Sequence, residues 1–256
     1  VKDNEIILSK VDLFLPLKSF ITSDFLLQKA VIAFLKNDIK DLTKITNIFV
    51  PGIINKQIKN FFLRGEIEGE FIIPFEIDGS IGKNYGFSGK VSNASINLTK
   101  EFSIKNLTTE INHIKNDDDE EFRIIIEKGS IYDLELAGST INLEREKNKT
   151  KIKSSLRTNG KLNFSQLKKI SSLFGFNINF FKDINGIADL KTNIGFDLDK
   201  KFEIRNLSYS TEGIIDSFEL HTREKRIIRK YLPLYDPQII FKNTNIKLTR
   251  SKFNQV

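Results

Sequence analysis

Apolar residues alternate one by one with charged or amide residues along most of this 256-residue chain. Glu66-Ile67-Glu68-Gly69-Glu70-Phe71 leads into Phe75-Glu76-Ile77-Asp78-Gly79, and Phe122-Arg123-Ile124 runs on through Ile126. The same beat returns in Leu134-Glu135-Leu136, Ile141-Asn142-Leu143-Glu144, Lys151-Ile152-Lys153 and Ile239-Ile240-Phe241-Lys242. A period of two places the apolar members on one face of a β-strand and the polar members on the other. Strands with one apolar face, set apart by Gly, Asn and Asp turn signals, suit antiparallel meanders, whereas a buried parallel sheet reads as unbroken apolar runs. The chain is therefore expected to be mainly β and antiparallel.

One strand pattern repeats. Leu98-Thr99-Lys100-Glu101-Phe102-Ser103-Ile104-Lys105-Asn106-Leu107 recurs 100 residues later as Leu198-Asp199-Lys200-Lys201-Phe202-Glu203-Ile204-Arg205-Asn206-Leu207. Each copy reads as a polar turn followed by a strand of the form Phe-x-Ile-x-Asn. A frayed third copy closes the chain, with Leu248-Thr249-Arg250 ahead of Phe253 and Val256. Repeated strands without a repeated polar constellation point to a surface being built, not a catalytic pocket.

Three segments carry helical spacing instead. Ile39, Leu42, Ile45 and Ile48 form a first stripe that Pro51 ends, and Ile54, Ile58, Phe61 and Phe62 form a second, closed by Gly65. In the third, Ser165 is the expected N-cap, Leu167, Ile170, Leu173 and Phe174 make the stripe, and Gly175 stands at C′. Stripes of this length usually pack on the nearest sheet. The acidic run Asp117-Asp118-Asp119-Glu120-Glu121 lacks the glycine and alternating ligands of a calcium loop and is expected to be a solvated hairpin loop.

The search for chemistry returns little. Cys, Met and Trp are absent, which leaves neither a disulfide framework nor a thiolate metal site. His113 and His221, the two histidines, lack the spacing of metal ligands, and there is no nucleophile elbow, phosphate loop or dinucleotide fingerprint. No catalytic residue, metal ligand or cofactor is assigned. The net charge of +7 comes from Lys interspersed with Asp and Glu, not from a cationic block, so nucleic acid is not expected as a partner. No stretch reaches the ~20 apolar residues of a membrane-spanning helix. The chain lacks even an initial Met and is read as part of something longer, with any leader or anchor outside it.

Several passages together resemble the AsmA-like family of Gram-negative envelope proteins, the group that includes YhdP and TamB. The first is Val11-Asp12-Leu13-Phe14-Leu15-Pro16-Leu17-Lys18-Ser19-Phe20-Ile21 followed by Leu27-Gln28-Lys29-Ala30-Val31-Ile32-Ala33-Phe34, a strand, a short connection and a second strand. The second, Val50-Pro51-Gly52-Ile53-Ile54 through Phe61-Phe62-Leu63-Arg64-Gly65-Glu66-Ile67-Glu68-Gly69, is similar to a YhdP-type middle region. Phe61 and Phe62 stand where family members usually carry Trp. The third runs from Gly160-Lys161-Leu162-Asn163-Phe164 through Leu173-Phe174-Gly175-Phe176 and on to Ile184-Asn185-Gly186-Ile187-Ala188-Asp189-Leu190.

The resemblance implies an elongated, twisted antiparallel sheet folded into an open groove, with an apolar inner face that carries phospholipid acyl chains between inner and outer membranes. It implies a periplasmic location, an inner-membrane anchor outside this chain, outer-membrane partner proteins and no catalytic residues. On that reading residues 1–65 form a strand–helix unit, 66–160 a β repeat, and 161–256 a helix with a second β repeat that continues beyond the chain. The lipid-facing residues are then Phe102, Ile104, Ile124, Ile126, Leu134, Leu136, Ile141, Leu143, Phe202 and Ile204. The alternation by itself fits a closed sandwich as well as an open gutter. A β-rich scaffold or assembly factor that pairs its sheet edges with client strands is the competing expectation. An outer-membrane barrel, which calls for aromatic girdles, fits a chain without Trp poorly.

Overall fold

The computed structural model describes residues 6–21, 26–41, 62–97, 103–116, 119–146, 149–173, 181–200, 203–222 and 238–250. Twelve strands form one antiparallel sheet. They are β1 (Leu8–Phe14), β2 (Lys29–Asp38), β3 (Phe62–Pro74), β4 (Gly86–Asn97), β5 (Ser103–Asn116), β6 (Asp119–Ile131), β7 (Leu134–Leu136), β8 (Ser139–Glu146), β9 (Lys149–Asn163), β10 (Phe181–Asp199), β11 (Ile204–Thr222) and β12 (Gln238–Arg250). Each strand pairs with the next in sequence, apart from β7 and β8, which lie end to end between β6 and β9. The two share one register against β6 and read as one strand interrupted at Ala137-Gly138. The three stretches read from the sequence are contiguous in this sheet, with β3 running across 65/66 and β9 across 160/161.

Helix is scarce among the described residues. A 3₁₀ turn, Leu17–Phe20, joins β1 toward β2, as the strand–connection–strand pattern anticipates. Helix α1 (Phe164–Leu173) follows β9 directly and contacts β9 and β10. Its N-cap is Asn163, not Ser165. Asn163 Oδ1 accepts from the Gln166 N–H at 3.0 Å, and Gln166 Oε1 accepts from the Asn163 N–H at 3.1 Å, a reciprocal capping box two residues earlier than expected. Phe174 and Gly175 lie outside the described residues, as do the first two stripes from Leu42 to Phe61. Phe62 and Gly65, assigned above to the end of a helical stripe, lie instead in β3. Phe75 makes an isolated bridge with Ile81, but Glu76 to Gly79 is a tight turn, not a strand, and Ser80 donates from its backbone and its hydroxyl to Asp78.

The repeated Asn has a conformational reason. Asn106 and Asn206 adopt φ of 51° and 53°, and at both the strand register slips. Each is the left-handed residue of a β-bulge, a conformation that Asn tolerates better than other side-chain-bearing residues. The bulge absorbs one extra residue. Ile104 and Leu107 are three apart in an otherwise period-two strand, yet both pack in the same apolar cluster. Asn93 (φ 50°) performs the same step in β4, between Val91 and Ala94, which are both fully buried. Bulges bend a strand and tighten its twist, so the sheet is coiled where these asparagines recur.

Asn106→Ala is expected to destabilise the protein by about 1 kcal/mol, the penalty for placing a Cβ-bearing, non-Asn residue in the left-handed region. Asn106→Gly should stay near the parent. Urea midpoints of the two variants make the check, and equal losses would mean that the side chain, not its backbone conformation, matters.

Candidate functional site

The cross-strand register decides which side chains share a face. Directly opposite residues point the same way, so the pairs can be followed across the sheet. One such row runs Ile111, Ile124, Ile141, Ser154, Ile194 and Tyr209, from β5 through β11. A parallel row runs His113, Phe122, Leu143, Ile152 and Phe196. On β9 this face carries Thr150, Ile152, Ser154, Leu156, Thr158, Gly160 and Leu162, while the opposite face carries Lys149, Lys151, Lys153, Ser155, Arg157, Asn159 and Lys161. From β5 to β11 one face of the sheet is mainly apolar and the other mainly polar.

The polar face is laced by exposed ion pairs. Lys153 lies 3.3 Å from Glu144, Lys149 lies 3.6 Å from Glu146, which also pairs with Lys151, and Lys90 lies 2.6 Å from Glu127. Solvated pairs of this kind add little stability. A shallow concavity of about 460 Å³ on this face is lined by groups of both signs, including Glu135, Arg157, Asp189, Lys191 and Glu212.

The apolar face falls into two halves. From β2 to β7 it is closed. Val91, Ala94, Leu107, Ile126 and Leu136 pack with Ile39, and Ile67, Ile96, Ile104, Ile111, Ile124, Ile131 and Ile141 surround them. Three phenylalanines stack beside this core, with Phe34–Phe71, Phe71–Phe87 and Phe34–Phe87 ring centroids 5.5, 4.9 and 6.2 Å apart. Gly89 makes room for them, since a Cβ there would meet the Phe87 ring at 2.6 Å. From β8 to β11 the face is buried at Leu162 and Ala188 and half-buried at Leu143, Ile152, Leu156, Ile194, Phe196, Leu198 and Tyr209. Among the described residues no second sheet covers it.

The residues assigned to the lining are thereby located. Ile104, Ile124, Ile126, Leu134, Leu136, Ile141 and Leu143 all belong to the apolar face. Ile126, Leu134 and Leu136 are fully buried and act as core, whereas Ile141 and Leu143 are half-buried at the margin of the open half. Ile204 pairs through its backbone with Leu198. Phe102 and Phe202 lie outside the described residues.

A polar cluster ends the apolar face, and no sequence motif announced it. In the β5–β6 hairpin Asn116 pairs with Asp119, so Lys115 faces Glu120 and His113 faces Phe122. The acidic run is therefore not all loop. Asp119, Glu120 and Glu121 belong to β6, and Glu120 is buried. Glu120 Oε1 lies 3.0 Å from His113 Nε2, and Arg145 Nη1 donates to Glu120 Oε2 at 3.2 Å. Phe122 stacks on the His113 ring at 4.0 Å, Tyr85 meets its edge at 5.6 Å, and the Lys115 ammonium lies 5.1 Å from the Tyr85 ring centre. The Asn116–Asp119 pairing sets the register that brings these side chains together.

The His113 hydrogen bond holds the Glu120 carboxyl below its ordinary range, against the opposing push of burial, and the charges of His113, Arg145 and Lys115 add to the effect. Burial, with the Glu120 charge behind it, raises the Tyr85 phenol. The arrangement fixes an ionised carboxylate that anchors a half-exposed guanidinium at the rim of an apolar surface. Among the described residues no three His, Asp or Glu side chains converge to hold a metal ion, and no helix is long and apolar enough to cross a membrane.

The ionised form of Glu120 is the one the fold favours, so its contribution is complete above the unfolded carboxyl pKa near ~4.3 and is lost as pH falls through the lowered folded value. Glu120→Ala is expected to cost about 1–3 kcal/mol at neutral pH by stranding His113. Urea midpoints at pH 7 and pH 3.5 should show the deficit shrinking in acid. A deficit independent of pH would contradict the ion-pair role.

No family model, curated protein or solved structure matches the chain, so the site rests on its own geometry.

Proposed function

We propose that this chain is a non-enzymatic, lipid-binding segment of an envelope protein, whose apolar sheet face shields phospholipid acyl chains from water during transfer between membranes. The single observation that carries this reading is the open half of that face. Leu143, Ile152, Leu156, Ile194, Phe196 and Leu198 form a contiguous apolar surface, half-buried, on strands whose other face is charged. Moving a phospholipid through water exposes roughly thirty chain methylenes, at ~0.8 kcal/mol each, a barrier on the order of 20 kcal/mol. A sheet with a largely apolar floor, interrupted only by hydroxyls such as Ser154 and Thr150, removes most of that barrier and leaves the headgroup wet. The resemblance to AsmA-like proteins supports the same reading and supplies its setting, the periplasm, with an anchor in the inner membrane outside this chain.

A second reading has its own observation. On the edge strand β1, Leu8, Val11, Leu13 and Phe14 are exposed, and among the described residues β1 has β2 as its one neighbour. Such an edge can accept a client strand, as in an assembly factor or scaffold for outer-membrane proteins.

Photo-crosslinking separates the two. A crosslinker at Ile194 or Phe196 should capture phospholipid, while one at Asn193 or Asp197, on the opposite face, should not. Equal labelling of both faces, or capture of unfolded outer-membrane strands at Val11 without any lipid at Ile194, would displace the lipid reading.

A further inference from the structure

We propose that the Tyr85–His113–Lys115–Glu120–Arg145 cluster is a headgroup site that selects lipids with an anionic, phosphate-bearing headgroup. This rests on the lipid-binding reading and adds to it the orientation and charge class of the lipid. The half-buried positions Ile141 and Leu143 of β8, with Ile152 of β9 directly opposite Leu143, run straight into Arg145 on the same face, and Arg145 pairs across to Glu120. Four residues of strand, from Ile141 to Arg145 of β8, span ~13 Å at ~3.3 Å per residue. Acyl chains occupy about 15 Å in one leaflet of a bilayer, half of its ~30 Å hydrocarbon thickness. A chain lying over Ile141, Leu143 and Ile152, at the margin of the open half, therefore brings its headgroup level with Arg145 and Lys115.

The charges there complement an anion. On this face Lys115 and Arg145 oppose the one carboxylate of Glu120, a surplus of one positive charge, while Asp119, Glu121, Glu144 and Glu146 at the same strand ends belong to the opposite face. Both Glu120 oxygens are engaged, one with His113 and one with a single N–H nitrogen of Arg145. The remaining guanidinium N–H groups sit on a side chain that is 57% exposed, beside the apolar face. A guanidinium held in place by a buried carboxylate is pre-organised for bidentate phosphate contact, and Lys115 adds a point charge at the same end. Glu120 is a positioning residue here, touching Arg145 and not the lipid.

The test is competition on the full chain, with dioleoyl phosphatidylglycerol and dioleoyl phosphatidylcholine offered in equal amounts at low salt and bound lipid quantified by native mass spectrometry. Phosphatidylglycerol is expected to be retained roughly fivefold over phosphatidylcholine, the discrimination of a partly solvated charge-assisted contact, and the ratio should fall as salt is added. Arg145→Gln with Lys115→Gln should bring the ratio close to one through a loss of bound phosphatidylglycerol, and Glu120→Ala, which frees the Arg145 guanidinium from its anchor, should lower it as well. Inorganic phosphate alone should not displace the lipid. Equal retention of the two lipids by the parent chain, or displacement by phosphate, would overturn the headgroup site while leaving lipid binding intact. Binding of neither lipid would remove the reading on which it stands.

Discussion

Register is the constraint on which this structure depends. In a sheet whose strands alternate apolar and charged residues, a slip of one residue turns an entire strand inside out. Each pairing must therefore hold parity with the next from β2 through β11. The row Phe34–Gly69–Gly89–Ile111–Ile124–Ile141–Ser154–Ile194–Tyr209 shows that it does. Where the apolar pattern changes parity, as between Ile104 and Leu107, a left-handed Asn takes up the odd residue and the face stays continuous. The repeated Asn106 and Asn206 are thus the joints of the sheet, and their recurrence records where it bends.

Much of this is written in local sequence. Period-two alternation is enough for antiparallel strands, and the Leu167/Ile170/Leu173 stripe is enough for α1. The bulges are also legible once apolar residues three apart with an intervening Asn are read as a step, but a search for strict alternation passes over them. Helix ends were less clear. Ser165 and Asn163 are both good caps, and Gln166, three residues after Asn163, decides between them. The second stripe failed at its end because Phe62 finds partners in β4, a long-range pairing that local spacing does not encode.

The polar cluster was hidden for a related reason. His113, Glu120 and Arg145 come from three strands, and nothing near any one of them in sequence marks it as special. Only the two hairpin registers bring them together. The same parity that builds the apolar face puts the cluster on it, so that a buried carboxylate and a half-exposed guanidinium close one end of an apolar surface. That juxtaposition of a dry floor with a charged end suits an amphiphile better than it suits a small polar substrate.

The division of the face into a closed half and an open half is what separates a gutter from a sandwich core, and a spin-label scan along β9 tests it directly. The chain has no cysteine, so single cysteines can be placed at successive positions from Lys151 to Leu156 without a background. With phospholipid present, labels at positions 152, 154 and 156 should relax with oxygen and be shielded from a water-soluble nickel reagent, while those at 151, 153 and 155 should show the reverse. Removing the lipid should return the even-numbered positions to water. Even-numbered labels closed to both reagents, with and without lipid, would mean that the face is a sealed core and would contradict the account.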